Sequence, residues 1–259
     1  MHILLVNDDG IHARGIHALC DACVARGHEV TVCAPHTERS ASSHRITLAD
    51  PIYVEMLDFK LPGVTAWSIS GTPADCVRLG MYELITAPVD VAISGINRGF
   101  NAGMAVHYSG TVAAAREATL NHVPSIATSM AYNGPESMLR YLANLSVQTA
   151  EAYVKTEVPP QTVLNINAPN VEARDVLAPV VAPLSTAGFK DNYIRRESPR
   201  AGTYYWLTDG EEMEQSAEQS DIAMLRAGHI TYTFIGNPCA QNGPSPAFVA
   251  QLAANSAHA

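Results

Sequence analysis

The sequence predicts an α/β protein built on a Rossmann-like, doubly wound and mostly parallel sheet, with a smaller β-rich extension at the C-terminal end. Three observations lead there. Short apolar runs alternate with amphipathic stretches over roughly the first two thirds of the chain, most of the runs end in loops rich in Gly, Asn, Asp or Ser, and beyond Pro169 β-leaning segments replace the alternation. With 259 residues, 47% of them hydrophobic, the chain can bury one large core. It is read as a single domain, a core over residues 1–170 and an extension over 171–259 that is expected to serve in oligomerisation.

The elements follow in order. Ile3 to Val6 is an apolar run that predicts a strand, Gly15 to Arg26 an amphipathic helix, and Val30 to Cys33 a second strand that opens into a polar loop from Pro35 to Arg45. Ile52 to Met56 and Thr65 to Ile69 predict two further strands. Gly71-Thr72-Pro73 then starts a helix toward Tyr82, with Thr72 as N-cap and Pro73 at the first helical position. Val89 to Ile93 predicts a strand that ends in a Gly- and Asn-rich loop, followed by a helix over Val112 to Leu120 and a strand over Ser125 to Ser129. Glu136 to Val154 carries a helical stripe of Met138, Leu142, Leu145 and Ala152, interrupted by Thr149, before Pro159 and Pro160. Val163 to Ile166 is a strand. Val176 to Val181, Thr203 to Leu207 and Ile230 to Phe234 lean to β, with a Glu-rich passage from Asp209 to Glu218, and the tail from Ser245 reads as a short helix or a frayed end.

Composition narrows the function. A net charge of −9 leaves no excess of Lys and Arg to neutralise a nucleic-acid polymer or an anionic membrane. A small anionic substrate then needs a local cation or clustered backbone N–H groups. No secretory signal and no apolar run of membrane-spanning length are visible, so a cytoplasmic setting is expected. The five cysteines are scattered apart from Cys20 and Cys23, which sit on a helical pattern and read as small core hydrophobes rather than a zinc pair.

In open α/β sheets ligands bind beyond the carboxyl ends of the strands. Those positions carry Asn7-Asp8-Asp9-Gly10, the loop Arg39-Ser40-Ala41-Ser42, and Ser94-Gly95-Ile96-Asn97-Arg98-Gly99. Adjacent carboxylates at a buried strand end repel each other unless a cation offsets them, and an all-oxygen donor set suits Mg²⁺ or Mn²⁺ rather than zinc. A capping turn accounts for the aspartates taken alone; the convergence of three strand ends favours the metal. A second set, Asn97 to Gly103 followed by Tyr108-Ser109-Gly110-Thr111-Val112, has the small residues of an anion-binding helix start, to which Ser109, Thr111 and Arg98 add donors; Ser109 or Thr111 is equally suited to cap that helix. Neither GxxxxGK[ST] nor a GxGxxG after the first strand occurs.

These motifs resemble the stationary-phase survival protein E (SurE) family of 5′/3′-nucleotidases. The likeness is carried in order by Asn7-Asp8-Asp9-Gly10, Gly71-Thr72-Pro73-Ala74-Asp75-Cys76-Val77, Ser94 to Gly99 and Tyr108 to Val112, and more thinly by Leu164 to Pro169. It implies one divalent cation, Mg²⁺ or Mn²⁺, per subunit on Asp8, Asp9, Ser40 and Asn97. It also implies nucleoside monophosphates as substrates and a homodimer or homotetramer formed through an exchanged C-terminal portion. Two departures stand out. Ala41-Ser42-Ser43-His44 follows Ser40 where the family carries a glycine, and Thr233-Phe234-Ile235-Gly236 replaces a Thr-Pro-Leu segment. The chemistry expected is phosphomonoester hydrolysis by water, with Asp8 or Asp9 as base and Asn101, Ser109, Gly110 and Thr111 at the phosphate; attack by an aspartate itself stays open. His44 is a lesser candidate for the leaving-group acid. The competing readings are a sugar-nucleotide transferase, suggested by Gly27-His28-Glu29-Val30, and a silent assembly protein.

Overall fold

A computed structural model describes residues 1–187, 189–212 and 217–236 of the chain. The tail from Ser245, Cys239 and the middle of the Glu-rich passage lie outside the described residues. A nine-stranded sheet runs in the order β3 (Val54–Leu57), β4 (Val64–Ile69), β2 (Glu29–Pro35), β1 (His2–Val6), β5 (Val91–Arg98), β6 (Ser125–Met130), β7 (Val163–Ala168), β11 (His229–Ile235) and β8 (Leu177–Val181). The strands from β4 to β7 in that order are parallel, while β3 and β11 join antiparallel to β4 and β7. Within the parallel set the chain winds outward from β1 to β2 and β4, then returns to the other side of β1 for β5, β6 and β7. That is the doubly wound topology the sequence predicts, and its switch point lies between β1 and β5.

The apolar runs are strands because both of their faces are covered. Ile3 and Leu5 enter the core under helices α1 (Arg14–Ala25) and α4 (Glu136–Tyr153), where Ile16, Leu19, Leu142 and Leu145 meet them. Leu4 and Val6 point to the opposite core with Val77, Ala114 and Ala118 of α2 (Pro73–Leu79) and α3 (Gly110–Leu120). Each fully buried Ile, Leu or Val among these contributes about 1.5–3 kcal/mol. The expected cap is present: Thr72 Oγ1 accepts from Asp75 N while Asp75 takes the Thr72 N–H, and beyond Leu79 a π-helical turn over Gly80–Leu84 carries the chain on. Cys20 and Cys23 are buried on α1, and burial pushes both thiols up to about 12, as inert core residues require.

Three differences from expectation appear. β5 does not stop at Ile93 but continues to Arg98. Gly95, at φ +137°, makes a bulge after which Asn97 and Arg98 resume pairing with Ser129 and Met130, and an added Cβ there would lie 2.2 Å from the Thr128 carbonyl oxygen. The Gly95–Ile96 peptide is cis. A long strand β9 (Phe189–Ser198) pairs with β10 (Gly202–Glu212) in a separate two-stranded sheet, and a short helix α5 (Asp221–Arg226) precedes β11. Among the described residues no helix is long and apolar enough to cross a membrane.

Candidate active site

At the switch point the carboxyl ends of β1 and β5 lie side by side, with Val6 paired to Ser94. Asn7 ties the turn together by donating from Nδ2 to the Gly10 carbonyl at 2.8 Å. Asp8 follows, almost wholly buried, against the start of α3: Thr111 donates its hydroxyl to Oδ1 and its backbone N–H to Oδ2 at 3.2 Å. Only glycine fits at the first residue of that helix, because a Cβ on Gly110 would stand 2.7 Å from Ser42 Oγ and 2.9 Å from Asp8 Cβ. Asp9 turns the other way. Its Oδ2 accepts the Arg98 N–H at 3.0 Å, which joins the end of β1 to the end of β5.

The electrostatics follow from this packing. Burial raises the Asp8 carboxyl above the usual carboxylate range, although the Thr111 hydrogen bonds pull the other way. Burial also raises Asp9, and the neighbouring charges of Asp8 and Glu38 add to it against the Arg98 N–H, so that its pKa stands at about 6. Two adjacent carboxyls are thus both held toward their neutral forms, a situation a cation relieves.

The remaining candidates separate by role. Asn97 lines the same cleft as Asp9; its Nδ2 donates to the Gly99 carbonyl at 2.8 Å, and no donor among the described residues reaches its Oδ1. Ser40 is exposed, with its hydroxyl donated to Glu38 Oε1 at 2.7 Å, and its loop is fastened to the turn after β1 by the Arg39 N–H on the Asp8 carbonyl at 2.7 Å. Ser109 caps α3 by accepting from Val112 N at 3.1 Å, and the Thr111 hydroxyl is taken by Asp8. Asn101 is buried and fixed from all sides. Its N–H donates to Asn167 Oδ1, its side chain donates to Ser129 Oγ, and its carbonyl accepts from Asn165 and Asn167. The Arg98 side chain runs away from the glycine-rich loop to Tyr132, and His44 is paired with the buried Glu117 at 2.8 Å. Among the described residues no group of three His, Cys, Asp or Glu side chains is gathered for a metal, so any cation here draws its further donors from amide, hydroxyl or backbone oxygen.

Two features escaped sequence reasoning. Glu38 shares the cleft with Asp9 and Asn97; its place two residues before Ser40, in a loop already suspected, was the available signal. Ser42 Oγ, against Gly110, is buried without a hydrogen-bond partner among the described residues. The cleft itself, about 450 Å³, extends from Asp9 and Asn97 along α1 to the loop Ala131–Pro135.

This chain matches the family model described as "Survival protein SurE" over residues 3–191. The chain belongs to the SurE family. It is 42% identical over 243 residues to the 5'-nucleotidase SurE of Parasynechococcus marenigrum, covering 90% of both chains. It is 41% identical over 233 residues to the 5'-nucleotidase SurE of Heliobacterium modesticaldum, covering 90% of this chain and 85% of that one. The crystal structure of the SurE protein from Aquifex aeolicus superimposes with a TM-score of 0.75 at 30% identity, over 91% of this chain and 93% of that one. The SurE match leaves the transferase alternative unsupported: among the described residues the chain beyond β7 adds β11 antiparallel to β7, β8 parallel to β11 and the β9–β10 hairpin, not a second phosphate-binding half.

Proposed function

We propose that this SurE-family chain is a 5′-nucleotidase, a metal-dependent phosphomonoesterase that converts nucleoside 5′-monophosphates, and 3′-monophosphates as a second class, to nucleoside and phosphate. The observation that carries the reading is the adjacent pair Asp8 and Asp9, both raised in pKa at the sheet's switch point, with an unengaged amide oxygen of Asn97 in the cleft that Asp9 lines. Its relatives' names agree with it. A hard divalent cation, Mg²⁺ or Mn²⁺, fits that donor chemistry, with Asp8, Asp9 and Asn97 as ligands and Ser40 completing the set from its loop. When bound, the cation supplies Lewis acidity toward phosphoryl oxygen and water.

The chain's own residues do the rest. Asp9, in the cleft beside Asn97, accepts the proton of the attacking water. Asp8 is held in one rotamer by Thr111 and keeps its orientation through turnover. The Ser42 hydroxyl is the donor to the phosphoryl oxygens at the start of α3, where the Gly110 and Thr111 N–H groups are turned to the Asp8 carboxyl, while Asn101 and Ser109 shape that loop and cap that helix. The setting is cytoplasmic, which suits the four buried, unpaired thiols among the described residues. The subunit assembles as a homodimer or homotetramer through the β9–β10 hairpin, whose Tyr205, Trp206 and Leu207 are exposed. Inorganic phosphate released from AMP by chelator-treated protein, with and without added Mn²⁺, tests the reading; release independent of metal refutes its metal part, and no release under any condition refutes it whole.

A further inference from the structure

We propose that Tyr132, with the Arg98 guanidinium stacked on it, forms the subsite for the nucleobase, so that the cleft recognises a nucleotide by the flat face of its base. The inference rests on the nucleotidase reading and concerns the end of the substrate that does not react.

The cleft has two chemically different ends. One holds the oxygen donors Asp9 and Asn97; the other is walled by Tyr132, Pro135 and Leu139, and the Arg14–Glu136 ion pair also lines the cleft. Tyr132 is 61% exposed, so the ring is open to a ligand in the cleft. Its ring is also held still. The Arg98 guanidinium carbon stands 4.2 Å from the ring centroid, and Arg98 Nε donates to the Tyr132 carbonyl at 3.1 Å, so ring and guanidinium are fixed as one flat unit.

Arg98 also sets the distance between the ends. Its backbone N–H is bound to Asp9 Oδ2 while its side-chain tip lies on Tyr132, so the reactive carboxylate and the stack are one arginine side chain apart. A ribose separates a 5′-phosphate from its base on the same scale. A planar, weakly hydrated cation on an aromatic ring is a stacking platform for any base, since every base offers a π-face. No hydrogen-bonding edge is required, and AMP and GMP are both accepted.

The test compares AMP with ribose 5-phosphate, which keeps the sugar and the ester but has no base, in the full-length wild type, Tyr132→Phe and Tyr132→Ala proteins with Mn²⁺. The wild type is expected to favour AMP in kcat/KM by about 5- to 150-fold, the range of one stacked base. Tyr132→Ala brings that ratio toward one, mainly through KM for AMP, and Tyr132→Phe preserves it. A ratio unchanged in Tyr132→Ala, or a parallel loss on both substrates, overturns the subsite. Saturation-transfer NMR with adenosine, which has no phosphate to lose, separates the two levels of the argument. If the wild type hydrolyses neither ester yet the adenosine signal disappears in Tyr132→Ala, the nucleotidase reading fails and the subsite stands. If adenosine gives the same signal in both proteins, the subsite fails whatever the activity.

Discussion

Replacing Thr111 with valine removes one hydrogen-bond donor from the most buried carboxyl of the site and changes little else. Thr111 is fully buried, and its hydroxyl donates to Asp8 Oδ1 at 2.5 Å while its backbone N–H reaches Oδ2 at 3.2 Å. Valine has the same shape, so the loss is that of a hydrogen bond to an ionisable partner that burial keeps from water, about 1.5–3 kcal/mol. For a domain of this size each kcal/mol lowers Tm by about 2–4 °C, which predicts a fall of about 3–12 °C in calorimetry of the metal-free protein at pH 8. Asp8 also loses its orientation. Loss of a partner that orients a ligand weakens metal binding by about 10- to 100-fold, to be read by calorimetric titration with Mn²⁺. Thr111→Ser keeps the donor and is expected to bind Mn²⁺ as the wild type does, at a stability cost of about 1 kcal/mol for the missing methyl. A valine variant with the Tm and Mn²⁺ affinity of the wild type refutes the reasoning, and so does a serine variant that loses as much affinity as valine.

Three further outcomes are expected. In the metal-free protein the folded state keeps the Asp9 proton up to a pKa of about 6, whereas the unfolded chain releases it near the ordinary 3.8, so stability drops as pH rises through that window. The Tm difference between Asp9→Asn and wild type therefore grows in favour of the variant from pH 4 to 7, while the Tm increase caused by Mn²⁺ in the wild type grows over the same range; a flat difference contradicts the burial of Asp9. Gly95→Ala sets a Cβ 2.2 Å from the Thr128 carbonyl at a φ of +137°, so strain and overpacking of about 1–3 kcal/mol each should leave the variant poorly soluble or with a sharply lower Tm. Asp75→Ala removes the acceptor for Thr47 N, Thr47 Oγ1 and Thr72 N, and is expected to cost about 1–3 kcal/mol and to speed tryptic cleavage at Arg39 and Arg45, read by mass spectrometry.

The parallel core was legible because its strands are buried on both faces: the run Ile3 to Val6 sends alternate side chains into two cores and so shows no polar alternation. The helix at Pro73 was legible from Thr72 and Pro73, a local start signal, to which the structure adds Asp75 as the other half of the capping box. β9 was not, since Phe189–Ser198 is mostly charged and polar and gains its strand structure only by pairing with β10. The continuation of β5 past Ile93 was hidden for a similar reason, because Gly95 reads as a loop residue unless the bulge against β6 is known. In the site, Asp8, Asp9 and Asn97 stood out as oxygen donors at strand ends. Tyr132 and Glu38 did not, because each is a single loop residue whose meaning depends on what the fold brings opposite it: Arg98 in one case, Asp9 in the other.

The central claim is that Asp8, Asp9, Ser40 and Asn97 hold one divalent cation that hydrolysis of a nucleotide requires. Titration of chelator-treated protein with Mn²⁺, followed by phosphate release from AMP on the same samples, tests it most directly. The expected result is one ion per chain with activity rising in step with occupancy, and loss of both in Asp8→Asn. Undiminished Mn²⁺ binding in Asp8→Asn, or full AMP hydrolysis by the metal-free wild type, would contradict it.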